Sequence, residues 1–325
     1  MSDTAHLGRG AAIASITTAL FLIALKLWAV WQSNSMAMLG SLADSALDLL
    51  ASLATLTGVI IAARPADRSH RFGHGKAEAL AAIFQVMLIA LSAAGIAMQS
   101  ARALVEGRSV DAAGEGIAVS IIAIVATFAL LAYQRYVIAR TRSVAIQADH
   151  VHYQSDLLLN LAVIVALVLE SYAGLTGADP LFGLAIAAWL LWGAWRAATE
   201  AIDHLMDREW SEEKRARFVA VAARHPELSR LHDLRTRTSG GIDFVQFHVD
   251  LPGDYTVSRA HDILERVERD LLAEFPDAEV LIHVDPSGHV DEPSNRLVEE
   301  DQFSRFGERP VPQNKRDGET NGPAK

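Results

Sequence analysis

The sequence predicts an α-helical membrane protein with six transmembrane helices, followed by a cytosolic α+β domain. Hydrophobic residues make up 51% of the 325-residue chain, yet 21% of the residues are charged. The apolar residues are concentrated in long runs before residue 205, and the chain from Arg208 onward is rich in Arg, Glu, Asp and His. A membrane half joined to a soluble half explains this distribution.

Six apolar runs define the predicted membrane half. Each is about 20 residues or longer, which is the length a helix needs to cross a hydrocarbon core. We therefore expect a short cytoplasmic N-terminus over residues 1–10 and a transmembrane domain over residues 11–207. The runs lie near residues 11–31, 36–62, 78–104, 115–138, 145–172 and 180–202.

The loops between these runs predict the orientation of the chain. The connections at 64–76 and 135–142 are basic, whereas "QSNS" and "AGLTGADP" contain no Lys or Arg. The positive-inside rule therefore predicts that the N-terminus and the C-terminus are both cytoplasmic. We predict no cleavable signal peptide, because the first apolar run is long enough to span the membrane.

The soluble half alternates between helical and strand patterns. Helices are predicted at 211–224 and 256–275, and strands at 229–238, 242–251 and 278–285, with a Gly-Gly turn between the first two strands. The order αββαβ indicates a small two-layer α+β domain over residues 208–290. Residues 291–325 are polar and poor in aliphatic side chains, so we expect a disordered tail.

Composition limits the chemistry that the chain can perform. The sequence has no cysteine, which excludes disulfides, thiolate nucleophiles and sulfur metal ligands, so a metal must be bound by oxygen and nitrogen. The formal charge of −10 argues against nucleic acid as a partner.

Four ionisable residues in two predicted spans form the main candidate site. Asp44 and Asp48 share one face of the second span, and His152 and Asp156 repeat the i, i+4 spacing on the fifth. A charged side chain costs about 2.5 to 3.5 kcal/mol at the centre of a bilayer. A divalent cation would relieve the repulsion between the carboxylates, and four oxygen and nitrogen donors suit a tetrahedral zinc site.

Two neighbouring basic residues bear on the alternatives. The alternatives to metal binding are that the ionisable groups lie at the membrane interface or pair with a buried base. Lys26 in the first span is the nearby candidate for such a base, unless its side chain extends to the interface. His150 lies two residues from His152, so it points elsewhere on the helix, and we expect it at the surface. Because protein would supply all four ligands, no position remains for an activated water, which favours passage of a metal over hydrolysis.

Three stretches together resemble a known family. "SLADSALDLLASL", "DRSHRFGHGKAEALAAI" and "ADHVHYQSDLLLN", in this order on six spans before an αββαβ domain, resemble the cation diffusion facilitator family and its bacterial zinc and ferrous-iron efflux members. The resemblance covers about residues 10–287. It implies a homodimeric, proton-coupled exporter of divalent metal in the bacterial cytoplasmic membrane, surrounded by membrane lipid, with a metallochaperone-like cytosolic domain.

The resemblance also implies site residues. Its transport site falls on the four intramembrane residues named above. A second site falls on a loop that, by itself, is equally consistent with an ordinary basic cytoplasmic loop. Its cytosolic site agrees in part with the strand pattern, since His283 and Asp285 are i and i+2 on one strand and face the same way. The implied loop ligands are Asp67, His70 and His74; the cytosolic ligands are His232, His248, His261, His283 and Asp285; and a charge interlock is implied between Lys76 and Asp207.

The functional expectation is a secondary active transporter. Divalent metal, with Zn²⁺ as the first candidate and ferrous iron and cadmium as further ones, would be both substrate and regulator, and no organic cofactor is implied. His152 is the expected proton carrier, because an imidazole titrates in the physiological pH range. A membrane metal sensor and a metal-dependent membrane hydrolase are the alternatives.

Overall fold

The chain divides into two compact units, and the main boundary falls between Met206 and Asp207. The computed structural model describes residues 2–33, 36–106, 116–173, 178–288 and 301–308. Each unit is presented separately below.

The first unit contains six long helices, of 26 to 32 residues each. Among the described residues, all except α5 contain a segment long and apolar enough to cross a membrane. Helix α5 has 30 residues, or about 45 Å at the usual rise per residue, so it also has sufficient length. The helices are α1 Ser2–Ser33, α2 Met36–Ala62, α3 Ala77–Glu106, α4 Gly116–Thr141, α5 Val144–Ala173 and α6 Ala178–Leu205.

Large apolar side chains of this unit point outward, while small residues fill the helix contacts. Trp195, Leu91 and Phe128 are 66 to 73% exposed, as expected of side chains that face lipid. The contacts between helices are made largely by alanines, such as Ala82 and Ala148, which are fully buried. Small residues allow helix backbones to approach closely, which is the main source of packing energy between membrane helices.

Two glycines lie where helix α3 approaches α2 and α6 closely. A Cβ atom at Gly58 of α2 would lie 2.5 Å from the Cβ of Ala81 on α3. A Cβ atom at Gly183 of α6 would lie 2.1 Å from the Oγ of Ser100, also on α3. The contact at Gly58 leaves no room for a Cβ atom, whereas the contact at Gly183 requires at least that the Ser100 hydroxyl rotate away.

The second unit is the expected small α+β domain. Its three strands form one sheet in the order β1-β2-β3, in which β2 and β3 are parallel. A two-residue turn joins β1 to β2, and Gly240 in this turn has a positive φ of 61°, which favours glycine. The elements are α7 Glu212–Ala222, β1 Leu231–Ser239, β2 Ile242–Leu251, α8 Val257–Glu274 and β3 Ala278–Pro286.

Helices α7 and α8 contribute to the core of this unit. Ser211 accepts a hydrogen bond from the amide of Lys214 at the start of α7, and Thr256 caps α8 in the same way. The buried positions of α8 are Ile263, Val267 and Leu271, four residues apart on one face. This spacing fixes which face of α8 points away from the core.

The tail differs from the sequence prediction. Residues 301–308 are ordered, and they include a further short helix, α9 Gln302–Arg305. Phe303 is 1% exposed and belongs to the core of the second unit, and Asp301 Oδ1 accepts a hydrogen bond from the amide of Leu231 at 3.3 Å. The prediction of disorder was therefore wrong for this segment, because one aromatic side chain in a polar stretch is enough to anchor it.

We predict that Phe303→Ala releases this segment from the second unit. Burying a phenylalanine typically contributes about 3 to 5 kcal/mol relative to alanine, which exceeds what the surrounding polar contacts can replace. Hydrogen–deuterium exchange should show faster exchange at the amide of Leu231 and over residues 301–306. The exposed Arg305→Ala variant is the control, and equal exchange in the two variants would contradict the anchoring role of Phe303.

Candidate metal centres

The first centre lies between helices α2 and α5. His152 Nε2 and Asp48 Oδ1 are 2.9 Å apart, and both side chains are buried. Ligand atoms of Asp48, His152 and Asp156 all lie within 4.8 Å of one another. The i, i+4 spacing on α5 and the packing of α2 against it thus bring three of the four residues of the predicted transport site together.

Asp44 and Lys26 are the two further residues that the sequence analysis associated with this centre. The side chain of Asp44 lies outside the described residues, so its place in the site remains a prediction. Lys26 Nζ donates a hydrogen bond of 2.6 Å to Ser45 Oγ, which is the residue after Asp44 on α2. The one base considered as an alternative partner of the carboxylates therefore contacts the same helix.

The prediction that His150 lies at the surface was wrong. Its side chain is half-buried, with Nδ1 3.2 Å from Gln134 Oε1 and Nε2 3.1 Å from Gln154 Nε2. The helical offset from His152 turns His150 away from the centre but toward α4. A neighbouring helix, which the sequence pattern of α5 did not reveal, covers that face.

The second centre is in the loop between α2 and α3. Asp67 Oδ1 is 3.3 Å from His70 Nδ1, and Asp67 Oδ2 is 3.3 Å from His74 Nε2. Backbone amides of His70 and Ser69 donate to the Asp67 carboxylate and lower its pKa to about 2. Asp67 is therefore ionised throughout the physiological pH range.

The third centre is in the second unit, where the register of the sheet aligns its candidate ligands. His248 of β2 is paired with His283 of β3, and Asp250 is paired with Asp285. His248 Nδ1 lies 2.9 Å from Asp285 Oδ2, and His232 Nε2 on β1 lies 3.4 Å from the same oxygen. Three neighbouring strands thus direct imidazole and carboxylate groups to one place.

Two of the five predicted cytosolic residues are arranged differently from the others. His283 Nε2 lies 3.4 Å from Asp285 Oδ1, at the margin of the cluster formed by His232, His248 and Asp285. His261 is separate from that cluster: its side chain is 68% exposed and lies 3.5 Å from Glu265. The reason is helical geometry, since His261 precedes the buried Ile263 by two residues and so lies on the opposite face of α8.

Sequence reasoning missed two carboxylates beside this centre. Asp250 Oδ1 faces the Nδ1 atom of the buried His232 at 3.6 Å, and Asp233 Oδ2 lies 3.8 Å from His248 Nε2. Burial raises the pKa of Asp250 and lowers the pKa of His232. A metal-binding histidine commonly directs its other ring nitrogen toward a carboxylate, which fixes the orientation of the ring. The two-residue spacing of His248 and Asp250 could have indicated Asp250.

The two residues of the implied charge interlock have other contacts within their own units. Lys76 Nζ donates to the carbonyl oxygen of Leu205 at 3.1 Å, at the end of α6. Asp207 Oδ2 lies 3.5 Å from Arg237 Nη1. The pairing of Lys76 with Asp207 therefore stays a prediction.

Comparison with known proteins places the chain in a family. Residues 12–206 match the cation efflux transmembrane domain, and residues 210–287 match the cytoplasmic domain of cation efflux proteins. The chain belongs to the cation efflux family. The resemblance seen in the sequence motifs is thereby confirmed, as is the fold class of membrane helices followed by a small α+β domain.

Individual members of the family are similar over most of their length. The cation-efflux pump FieF of Klebsiella pneumoniae is 41% identical over 280 residues, which cover 86% of this chain and 93% of that protein. FieF of Cronobacter sakazakii is 41% identical over 288 residues, covering 89% and 96%. The metal-bound C-terminal domain of the CzcD transporter from Thermotoga maritima is 28% identical, covers 25% of this chain and 99% of that structure, and gives a TM-score of 0.24.

Membership of the cation efflux family decides between the functional classes. The chain is a multi-pass membrane transporter that exports cations, and it is not an enzyme. The hydrolase alternative was therefore wrong.

We predict that Asp250→Asn weakens metal binding in the cytosolic unit. Loss of a carboxylate behind a metal-binding histidine typically costs about 10- to 100-fold in affinity, because the ring is no longer held in place. Zinc affinity is measured on the full chain by competition with a chelating dye, and bound zinc is counted by native mass spectrometry. The exposed Asp254→Asn is the matched control; equal affinity in the two variants would remove Asp250 from the centre.

Proposed function

We propose that this protein exports zinc from the cytoplasm in exchange for protons. The observation that carries the proposal is the convergence of Asp48, His152 and Asp156, on two membrane helices, to within 4.8 Å. Asp44, one turn before Asp48, supplies the fourth ligand. Imidazole and carboxylate groups in a four-ligand arrangement suit Zn²⁺.

The same ligands argue for limited selectivity. Three carboxylates and one imidazole also bind ferrous iron, cadmium and manganese, and the order of affinities alone does not select one metal. Zinc is proposed as the principal substrate because Zn²⁺ favours four tetrahedral ligands and accepts both imidazole nitrogen and carboxylate oxygen. Ferrous iron and cadmium are proposed as further substrates.

Coupling to protons follows from competition for the same atoms. The Nε2 atom of His152 and the carboxylate of Asp48, 2.9 Å apart, share a proton when no metal is bound. A metal bound to both atoms must displace that proton, because ligands bind metal in their deprotonated form. Alternating exposure of this centre to the two sides of the membrane then exchanges metal for protons.

We propose that the cytosolic centre regulates export. It lies in the second unit, outside the membrane helices, so a metal bound there is not on the path across the bilayer. Metal bound to ligands on three strands stabilises their arrangement. We also propose that both termini are cytoplasmic and that the protein is a homodimer with the Lys76–Asp207 charge interlock. In that dimer, His261 would contribute to the cytosolic metal site. If the cytosolic centre regulates export, the Asp250→Asn protein should carry less zinc than the unaltered protein at low zinc concentration, although its intramembrane ligands are unchanged.

We predict that Asp48→Ala abolishes zinc transport by a protein that still folds. The change removes one ligand and leaves His152 without its partner, while it also removes a costly intramembrane carboxylate. Zinc flux is measured with a trapped dye in proteoliposomes that contain the purified protein. Asp254→Ala, at an exposed carboxylate outside the centres, is the control. Zinc flux that persists in monodisperse Asp48→Ala protein would refute the assigned site, and no flux in the unaltered protein would favour the membrane sensor.

We predict that an inward proton gradient drives zinc export. Protons delivered from the outside displace zinc from His152 and Asp48, so a gradient that is acid outside should accelerate efflux. The measurement records zinc and proton fluxes together, with an internal pH dye, in vesicles with and without the gradient. An ionophore that collapses the gradient should abolish the acceleration. Zinc flux with no counterflow of protons would indicate facilitated diffusion.

A further inference from the structure

A ladder of polar contacts continues from the intramembrane centre along the interface of α2 with α5. Asp48, Ser52 and Thr55 occupy one face of α2, at spacings of four and three residues. Asp48 contacts His152, and Ser52 Oγ lies 3.0 Å from the hydroxyl of the next residue, Tyr153. The same hydroxyl donates to the carbonyl oxygen of Ser15 on α1 at 3.1 Å. The third residue of this face, Thr55, is linked through Gln85 to a different carboxylate, Asp149.

Asp149 of α5 is the buried carboxylate linked to Thr55. It is fully buried and lies one helical turn before His152. Its Oδ2 accepts from Ser15 Oγ at 2.5 Å and from Gln134 Nε2 at 2.7 Å, while its Oδ1 accepts from Gln85 Nε2 at 2.8 Å. Side chains of α1, α3 and α4 therefore all donate to one group on α5.

The contacts around Asp149 determine how both glutamines are oriented. Gln85 Nε2 also lies 3.3 Å from the carbonyl oxygen of Ala51 and 2.6 Å from Thr55 Oγ1, both on α2. The carbonyl and the carboxylate can only accept, so the amide nitrogen of Gln85 must face them. Asp149 is thus linked, directly or through Gln85, to each of the other helices from α1 to α4.

The orientation of Gln134 follows from its neighbours in the same way. Its nitrogen faces Asp149, and its oxygen therefore faces His150 Nδ1 at 3.2 Å and accepts from it. His150 Nε2 is then able to accept from Gln154 Nε2. Every donor in this chain points toward the Asp149 carboxylate.

A carboxylate in this position requires a reason, because it is costly in a membrane unless its partners satisfy it. It is absent from the metal cluster of Asp48, His152 and Asp156. We propose that Asp149 is a positioning residue for the transport site: its hydrogen bonds fix the rotation and height of α5 against α1–α4, so that His152 and Asp156 meet Asp48. The proposal rests on the proposed function of that site and extends it.

The first experiment replaces Asp149 by its neutral isostere in the full-length protein. Asp149→Asn preserves shape but places an amide NH₂ against the NH₂ of Gln85 or of Gln134. We expect zinc to bind the membrane site at least about tenfold more weakly, as after loss of a residue that orients metal ligands. Zinc binding is measured in detergent and the zinc dependence of flux in proteoliposomes. Thr127→Val, at another buried membrane residue, is the matched control.

The second experiment moves the carboxylate instead of removing it. When Asp149→Asn is combined with Gln134→Glu, the new amide at position 149 donates to the new carboxylate at position 134 and still accepts from Gln85. Ser15 and His150 then donate to the carboxylate at position 134. The double variant should regain zinc binding and flux, whereas Gln134→Glu alone should lose them because two carboxylates then face each other. Such a pattern is non-additive and measures the contact directly. A residue that only filled space would give no rescue.

The outcomes separate this proposal from the function on which it rests. Unaltered protein that binds zinc but does not carry it would overturn the proposed transport, and weaker binding in Asp149→Asn would still support the positioning role. Equal binding and flux in Asp149→Asn and Thr127→Val would overturn the positioning role while leaving transport intact. If Asp149→Asn does not fold, Ser15→Ala removes one donor at little cost in volume, and unchanged zinc binding in that variant would likewise overturn the proposal.

Discussion

The contact of His152 with Asp48 is the constraint on which the membrane unit depends. Two ionisable side chains on different helices meet at 2.9 Å inside the bilayer-spanning region. The free energy of placing them there must be offset by close packing of the helices that carry them. The small residues at the contacts of α3 with α2 and α6, and the polar ladder between α2 and α5, give the bundle the close and specific packing that such a pair needs.

The intramembrane residues could be predicted from sequence, because the free-energy cost of an ionisable side chain in a membrane span is evident from the span alone. A carboxylate in an apolar run is conspicuous without any knowledge of its partners, and the i, i+4 spacing of His152 and Asp156 shows that they share a face. The fold class followed from the same contrast between apolar runs and a charged C-terminal half. What could not be predicted was the role of Asp149, since its partners Ser15, Gln85 and Gln134 are individually ordinary polar residues on three other helices.

Two predictions about the cytosolic unit depended on different kinds of information. His261 has the residue type of a ligand, but the direction of its side chain depends on which face of α8 is buried. The tail over 301–308 has the composition of a disordered segment, but Phe303 fits a gap in the core that local composition cannot reveal. The buried face of α8 follows from the local spacing of Ile263, Val267 and Leu271, whereas the contacts of Phe303 join residues far apart in sequence.

The parallel pairing of β2 with β3 has a consequence for how the cytosolic centre can vary among related chains. In sequence, helix α8 lies between the pair His248 and Asp250 and the pair His283 and Asp285, and its loops can absorb insertions without disturbing the pairing of β2 with β3. The spacing within each pair has no such freedom, because adding one residue between His283 and Asp285 would send one of them to the other face of the sheet. Among related chains, the number of residues between positions 252 and 277 should therefore vary. The two-residue intervals 248–250 and 283–285 should be constant wherever the centre is retained.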